Sequence, residues 1–159
     1  MLKEKIFEHL KNNKKTLSFV ESCTGGGLCR DFVLISGASE VLRGSLVAYQ
    51  DFSKINCLSI PQSLVDEHTS VSEPVAKEMS KKGASFFQAD FCLSVTGWAG
   101  PGGGTAADPV GTVYFAVCGE SFELVERRTF PECNDREELM KSANVYAWKI
   151  LAKALGLSS

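Results

Sequence analysis

Residues Thr16 to Gly27 constrain this chain most. An apolar run carrying Leu17, Phe19 and Val20 stops at Glu21-Ser22-Cys23-Thr24, three glycines follow, and the pattern then turns helical over Leu28 to Ile35. A strand that ends in glycines has a backbone free to turn and to admit a ligand closely, and the first amides of the following helix lack partners within it. A hydroxyl and a thiol thus stand beside a place where an anion can be held. A second segment has the same form: the apolar run reaching Ser94-Val95-Thr96 passes into Gly97-Trp98-Ala99-Gly100-Pro101-Gly102-Gly103-Gly104. Two such loops in a short chain predict one shared pocket, and so an enzyme or small-molecule binder rather than a scaffold.

Hydrophobic periodicity places helices at 2–12, 24–34, 51–58, 72–88 and 134–156, and strands at 16–21, 44–50, 90–96, 111–118 and 121–130. Ser72-Glu73-Pro74 is a strong helix start, with a capping hydroxyl, a proline tolerated in the first turn and an acid that complements the dipole. Cys118-Gly119-Glu120-Ser121 reads as a hairpin turn, so the last two strands should run antiparallel, while strands joined by helical crossovers should be parallel. The expected fold is therefore α/β with a mixed sheet, as one domain over 1–159. Leu139, Ala143, Ala147, Ile150, Leu151 and Ala154 form one helical stripe suited to core packing. In such folds ligands collect at the carboxyl ends of the strands, which would bring Glu21, Ser22, Tyr49, Lys54 and Thr96 together.

Composition narrows the function classes. With 17 Lys and Arg against 19 Asp and Glu, the net charge of −2 supplies no general attraction to nucleic acid or an acidic membrane. The N-terminal segment mixes Leu2, Ile6, Phe7 and Leu10 with charge at helical spacing and lacks the apolar block of a signal peptide. The six cysteines are scattered without a C-x-x-C pair, which fits reduced thiols and a cytoplasmic location.

The residues alone leave the chemistry open. Ser22-x-x-Gly25-Gly26 fits neither the Walker nor the dinucleotide glycine pattern. Ser22 could be a nucleophile or a helix cap. His9 and His68 fall in a surface helix and a loop, away from strand ends, which argues against a Ser-His-Asp triad. Lys54 could serve as base only if its pKa were lowered; otherwise it is a solvated lysine. Cys23 competes with Ser22 because a helix N-terminus can activate a thiol, although neighbours on a strand face opposite ways. No cluster has metal-ligand spacing, and no metal or cofactor is expected.

Taken in order, Glu21-Ser22-Cys23-Thr24-Gly25-Gly26, Val47-Ala48-Tyr49 with Lys54, Val71-Ser72, Thr96-Gly97-Trp98-Ala99-Gly100-Pro101-Gly102-Gly103 and Pro109-Val110-Gly111-Thr112-Val113 resemble the CinA C-terminal domain family across nearly the whole chain. The resemblance implies a three-layer α/β/α sandwich around a mixed, mostly parallel five-stranded sheet, akin to anticodon-binding domains. It also implies a nicotinamide-nucleotide amidase, which converts nicotinamide mononucleotide to nicotinate mononucleotide and ammonia. By position, Ser22 corresponds to the nucleophile, Lys54 to the base and Tyr49 to an assisting group. Substrate contacts would come from Glu21, Cys23, Thr24, Gly25 and Gly26 in the first loop, and from Thr96, Gly97, Trp98, Ala99, Gly100, Gly102 and Gly103 in the second. The family usually carries Ile where Trp98 stands. The partner implied is a pyridine nucleotide, without nucleic acid or membrane, and homo-oligomers are common in the family. The alternative reading is a catalytically silent nucleotide- or partner-binding module that keeps the fold.

Overall fold

Strand β1 (Leu17–Glu21) is buried at every position, as expected of an interior strand in a sheet covered on both faces. The computed structural model describes residues 1–157 and places β1 in that role, within a five-stranded sheet of order β2-β1-β3-β4-β5. The partners are β2 (Leu42–Val47), β3 (Phe91–Gly97), β4 (Thr112–Cys118) and β5 (Glu123–Thr129). β1 is parallel to β2 and β3, and β4 is antiparallel to both β3 and β5, so four strands point one way. The expected mixed, mostly parallel sheet is present in a three-layer α/β arrangement. The β4–β5 hairpin is also as expected, but β3 and β4 are antiparallel as well, because the glycine-rich segment between them contains no crossover helix.

Neighbouring side chains on β1 supply both cores, as the period-2 geometry of a strand requires. Phe19 packs edge-on against Phe32 and Trp148, with ring centroids 5.9 and 5.7 Å away. That face is covered by α1 (Leu2–Asn12), α2 (Gly27–Val33) and α6 (Arg136–Ala154). Val20 faces the other way, among Val75 and Met79 of α5 (Glu73–Phe87), with α3 (Asp51–Leu58) and α4 (Gln62–His68) alongside. A polar clasp aligns β1 with β3: the Asp90 carboxylate accepts from the Thr16 N–H at 2.8 Å and the Thr16 hydroxyl at 2.7 Å, and that hydroxyl accepts from the Asp90 N–H at 3.0 Å.

Several boundaries differ from the sequence reading for identifiable reasons. α2 begins at Gly27, not residue 24, because Gly25 and Gly26 take positive φ values of 60 and 97° and hold the chain in turns. β2 ends at Val47, which leaves Tyr49 beyond the sheet. The seven-residue α4 after Pro61 was missed, being too short for a clear period, so His68 ends a helix instead of lying in a loop. The start of α5 is as expected, with the Ser72 hydroxyl accepting from the Val75 N–H. Among the described residues no helix is long and apolar enough to cross a membrane, and all six cysteines are free.

Close approach of α5 to the sheet depends on Gly83. A Cβ there would lie 2.4 Å from Val20 Cγ2 and 2.7 Å from Cys92 Sγ, both in the packed interior. Alanine is the better helix former by about 1 kcal/mol, but overpacking costs about 1–3 kcal/mol, so the clash should prevail. Gly83→Ala should therefore lower the urea midpoint; an unchanged or raised midpoint would show that α5 shifts freely on the sheet.

Candidate functional site

The carboxyl end of β1 meets the end of β3 at Ser22, whose N–H donates to the Val95 carbonyl at 3.0 Å and whose carbonyl accepts from the Gly25 N–H at 3.1 Å. The backbone is thus bound on both sides of a buried hydroxyl. α3 starts just beyond β2 and turns Lys54 inward, where only 1% of the residue is exposed. Its Nζ donates to Ser22 Oγ at 3.2 Å and to the Ala48 carbonyl at 3.1 Å. The structure therefore brings together two residues 32 positions apart. Burial away from water moves the Lys54 pKa down from its ordinary value, against weaker upward pulls from Asp51 and Cys23. A lysine so placed can shed its proton and accept one from a serine.

Cys23 has the opposite electrostatic fate. Desolvation pushes its thiol pKa up to about 12, which keeps it protonated and un-nucleophilic at neutral pH. Tyr49 lies at the rim, more than half exposed, and its hydroxyl is engaged by Arg136 Nη2 instead of by Ser22 or Lys54. Arg136 Nη1 donates in turn to the Gly100 carbonyl at 2.7 Å. Thr96 is buried and donates to the Ser70 carbonyl at 2.9 Å, which anchors the segment between α4 and α5.

These groups line a cavity of about 190 Å³. Of the residues expected there, Ser22, Cys23, Tyr49, Lys54, Thr96, Gly97, Trp98, Ala99, Gly100 and Gly102 form its walls; Ser70, Val71 and Arg136 join them unforeseen. Glu21, Thr24, Gly25, Gly26 and Gly103 do not line it. Glu21 is wholly buried, and its carboxylate accepts from the Thr24 hydroxyl at 2.7 Å and from the N–H groups of Gly26, Leu28 and Cys29 at 3.1, 3.1 and 3.0 Å. The anion at the start of α2 is thus the protein's own, and those amides are closed to a ligand. Thr24 serves that carboxylate, Gly25 and Gly26 shape the turn, and Gly103 packs on the six-membered ring of Trp98. Among the described residues the N–H groups of Cys23 and Thr24, directly after Ser22, meet no acceptor. The cavity lining carries two basic side chains, Lys54 and Arg136, and no carboxylate.

Arg136 had one signal available in the sequence. It occupies the first turn of α6, where a cation opposes the helix dipole, so a task other than helix stability is implied.

A model of the CinA C-terminal domain matches residues 1–155. A CinA-like protein of Pseudothermotoga lettingae is 36% identical over 154 residues, covering 97% of this chain and 37% of that protein. A CinA-like protein of Petrotoga mobilis is 40% identical over 147 residues, covering 92% and 36%. The chain thus spans little more than a third of the length of these relatives. Among solved structures, the competence damage-inducible protein A of Klebsiella pneumoniae superposes with a TM-score of 0.92 at 30% identity, covering 98% of this chain and 95% of that one. The competence/damage inducible protein of Agrobacterium tumefaciens gives 0.91 at 29% identity, covering 98% and 93%.

Lys54 generates a prediction that is independent of any substrate. Its lowered folded pKa means that the unfolded chain binds the extra proton more tightly, so the wild type is penalised below the folded value and recovers as pH rises towards 10.5. Lys54→Met, which removes the charge and keeps the length, should melt no lower than wild type at neutral pH, and its advantage should shrink at alkaline pH. Melting curves of both proteins across that range check the sign; an advantage that grows with pH would contradict it.

Proposed function

The chain belongs to the CinA C-terminal domain family, and from that premise we propose that it is an amidohydrolase, a single amidase unit that converts nicotinamide mononucleotide to nicotinate mononucleotide and ammonia through Ser22 and Lys54. The observation that carries the reading is the buried Lys54 Nζ, 3.2 Å from Ser22 Oγ and with a lowered pKa. Neutral Lys54 takes the Ser22 proton as Oγ attacks the carboxamide carbon, and the C=O π electrons move onto oxygen. The unpartnered N–H of Cys23, directly after Ser22 on the cavity wall, is a main-chain donor open to that oxyanion. Collapse of the tetrahedral intermediate breaks the C–N bond, Lys54 returns the proton to the departing ammonia, and water then hydrolyses the acyl ester to free Ser22.

The charges around the cavity suit this substrate. Arg136 keeps N–H groups beyond the two engaged by Tyr49 and Gly100, which can receive a phosphate. A pyridinium near Lys54 would disfavour its protonated form further, and the aromatic Trp98 in the wall is a residue type that favours such a cation. The phosphate contacts are therefore centred on Arg136, with main-chain amides of the loop at 97–104 assisting.

The test is ammonia release from nicotinamide mononucleotide. Ser22→Ala should lower turnover by about 10³-fold or more, as loss of a serine nucleophile does elsewhere. Cys23→Ala should keep most of the activity, and an equal loss there would move the nucleophile by one residue. Because the base is neutral lysine, kcat should rise with pH through a limb below the ordinary lysine range. Binding energy from the phosphate should also act on turnover, so the riboside and free nicotinamide should lose kcat as well as affinity; equal turnover of all three at saturation would remove the phosphate from the reading.

A further inference from the structure

Beside the catalytic cavity lies a second one of about 440 Å³, and the two share Ala99, Gly100 and Arg136 as a common wall. Its other walls differ in character from the first. Val110, Phe130, Pro131 and Leu139 make it largely apolar, and Asn134 and Asp135 sit in its polar part. Those two side chains present acceptors. Asp135 accepts the Glu138 N–H through Oδ1 alone, and Asn134 gives its backbone N–H and one side-chain N–H to Glu138, which leaves its own side-chain oxygen free. A second anion has no counter-charge here beyond the shared Arg136, and Asp135 would repel it. A flat, uncharged ring with N–H donors has apolar walls to bury against and acceptors to meet.

We propose that this second cavity is a subsite for the second, neutral heteroaromatic nucleoside of a pyridine dinucleotide, whose linking phosphates lie at Arg136 between the two cavities. The ordering of the three environments carries the assignment: a polar pocket beside Ser22, a guanidinium on the partition, and an apolar pocket edged with acceptors beyond it. A mononucleotide uses the first two and leaves the third empty. A dinucleotide spans all three and competes with the mononucleotide for the same pocket. The inference rests on the pyridine-nucleotide reading only for the half of the ligand placed beside Ser22.

Calorimetric binding of nicotinamide mononucleotide and nicotinamide adenine dinucleotide to the Ser22→Ala protein separates binding from turnover. The dinucleotide should bind about tenfold tighter, through the extra buried ring. Val110→Trp, at a partly exposed position on the cavity wall, should abolish that advantage while mononucleotide binding stays at its parent value. Asn134→Leu is the second variant, which removes an acceptor without filling the space, and it should reduce the advantage in part. The proposal is overturned if the dinucleotide does not bind, if it binds no tighter than the mononucleotide, or if its advantage survives both variants. Absence of ammonia release from nicotinamide mononucleotide by the wild-type protein, with dinucleotide binding intact, would instead sink the amidase reading and leave the subsite standing.

Discussion

The Glu21 carboxylate organises the molecule around its first loop. It is the last residue of β1, wholly out of water, and it gathers three main-chain N–H groups and a hydroxyl from the eight residues that follow. A buried carboxylate is costly unless its lone pairs are met, and amides at a helix start are orphans unless something meets them. Each problem solves the other. The chain between them must bend sharply, which is where Gly25 and Gly26 adopt positive φ. Ser22 then sits on a backbone secured ahead by β3 and behind by the Glu21 cluster, so its hydroxyl is presented to Lys54 without the freedom of an ordinary surface loop.

Lys54 shows how the fold sustains an unfavourable arrangement. An ammonium with 1% exposure finds two oxygen acceptors but no carboxylate among its hydrogen-bond partners. A carboxylate partner would stabilise the charged form and hold the pKa up. A carbonyl and a hydroxyl satisfy the N–H groups while leaving the charge uncompensated, so the neutral form is brought within reach. The same lack of acids throughout the cavity lining makes the pocket receptive to an anion at Arg136.

Much of this was legible in the sequence because it rests on periodicity and punctuation. The apolar run that stops at Glu21, the start at Ser72-Glu73-Pro74 and the turn at Gly119 each have a local physical cause, and the corresponding elements are present. The convergence of Ser22 and Lys54 was legible from strand ends together with the family pattern, because lysine next to serine has no sequence-local signature. Glu21, Thr24, Gly25 and Gly26 were read as substrate contacts since they flank Ser22, yet adjacency in a turn puts neighbours on different sides. Arg136 was overlooked for a third reason, since its place at a helix start marks it as unusual without saying which cavity it serves. It reaches the cavity from a helix start 82 residues after Lys54, and only the tertiary packing of α6 against the loop brings it there.

The loop between β3 and β4 joins these threads. Its base is closed by the Trp98 N–H donating to the Thr112 carbonyl and the Gly111 N–H to the Trp98 carbonyl, at 2.9 and 2.8 Å. Its far side is pinned through Asp108, which accepts from the Tyr114 hydroxyl and from Arg127 Nε, while Arg127 Nη2 reaches the Ala107 carbonyl. Between these fixed points, Arg136 to the Gly100 carbonyl is the one side-chain hydrogen bond to the glycine run among the described residues. The guanidinium therefore joins α6, the loop and the Tyr49 rim in one contact, and it does so with N–H groups to spare. An anion bound there adds to the existing bonds without displacing them.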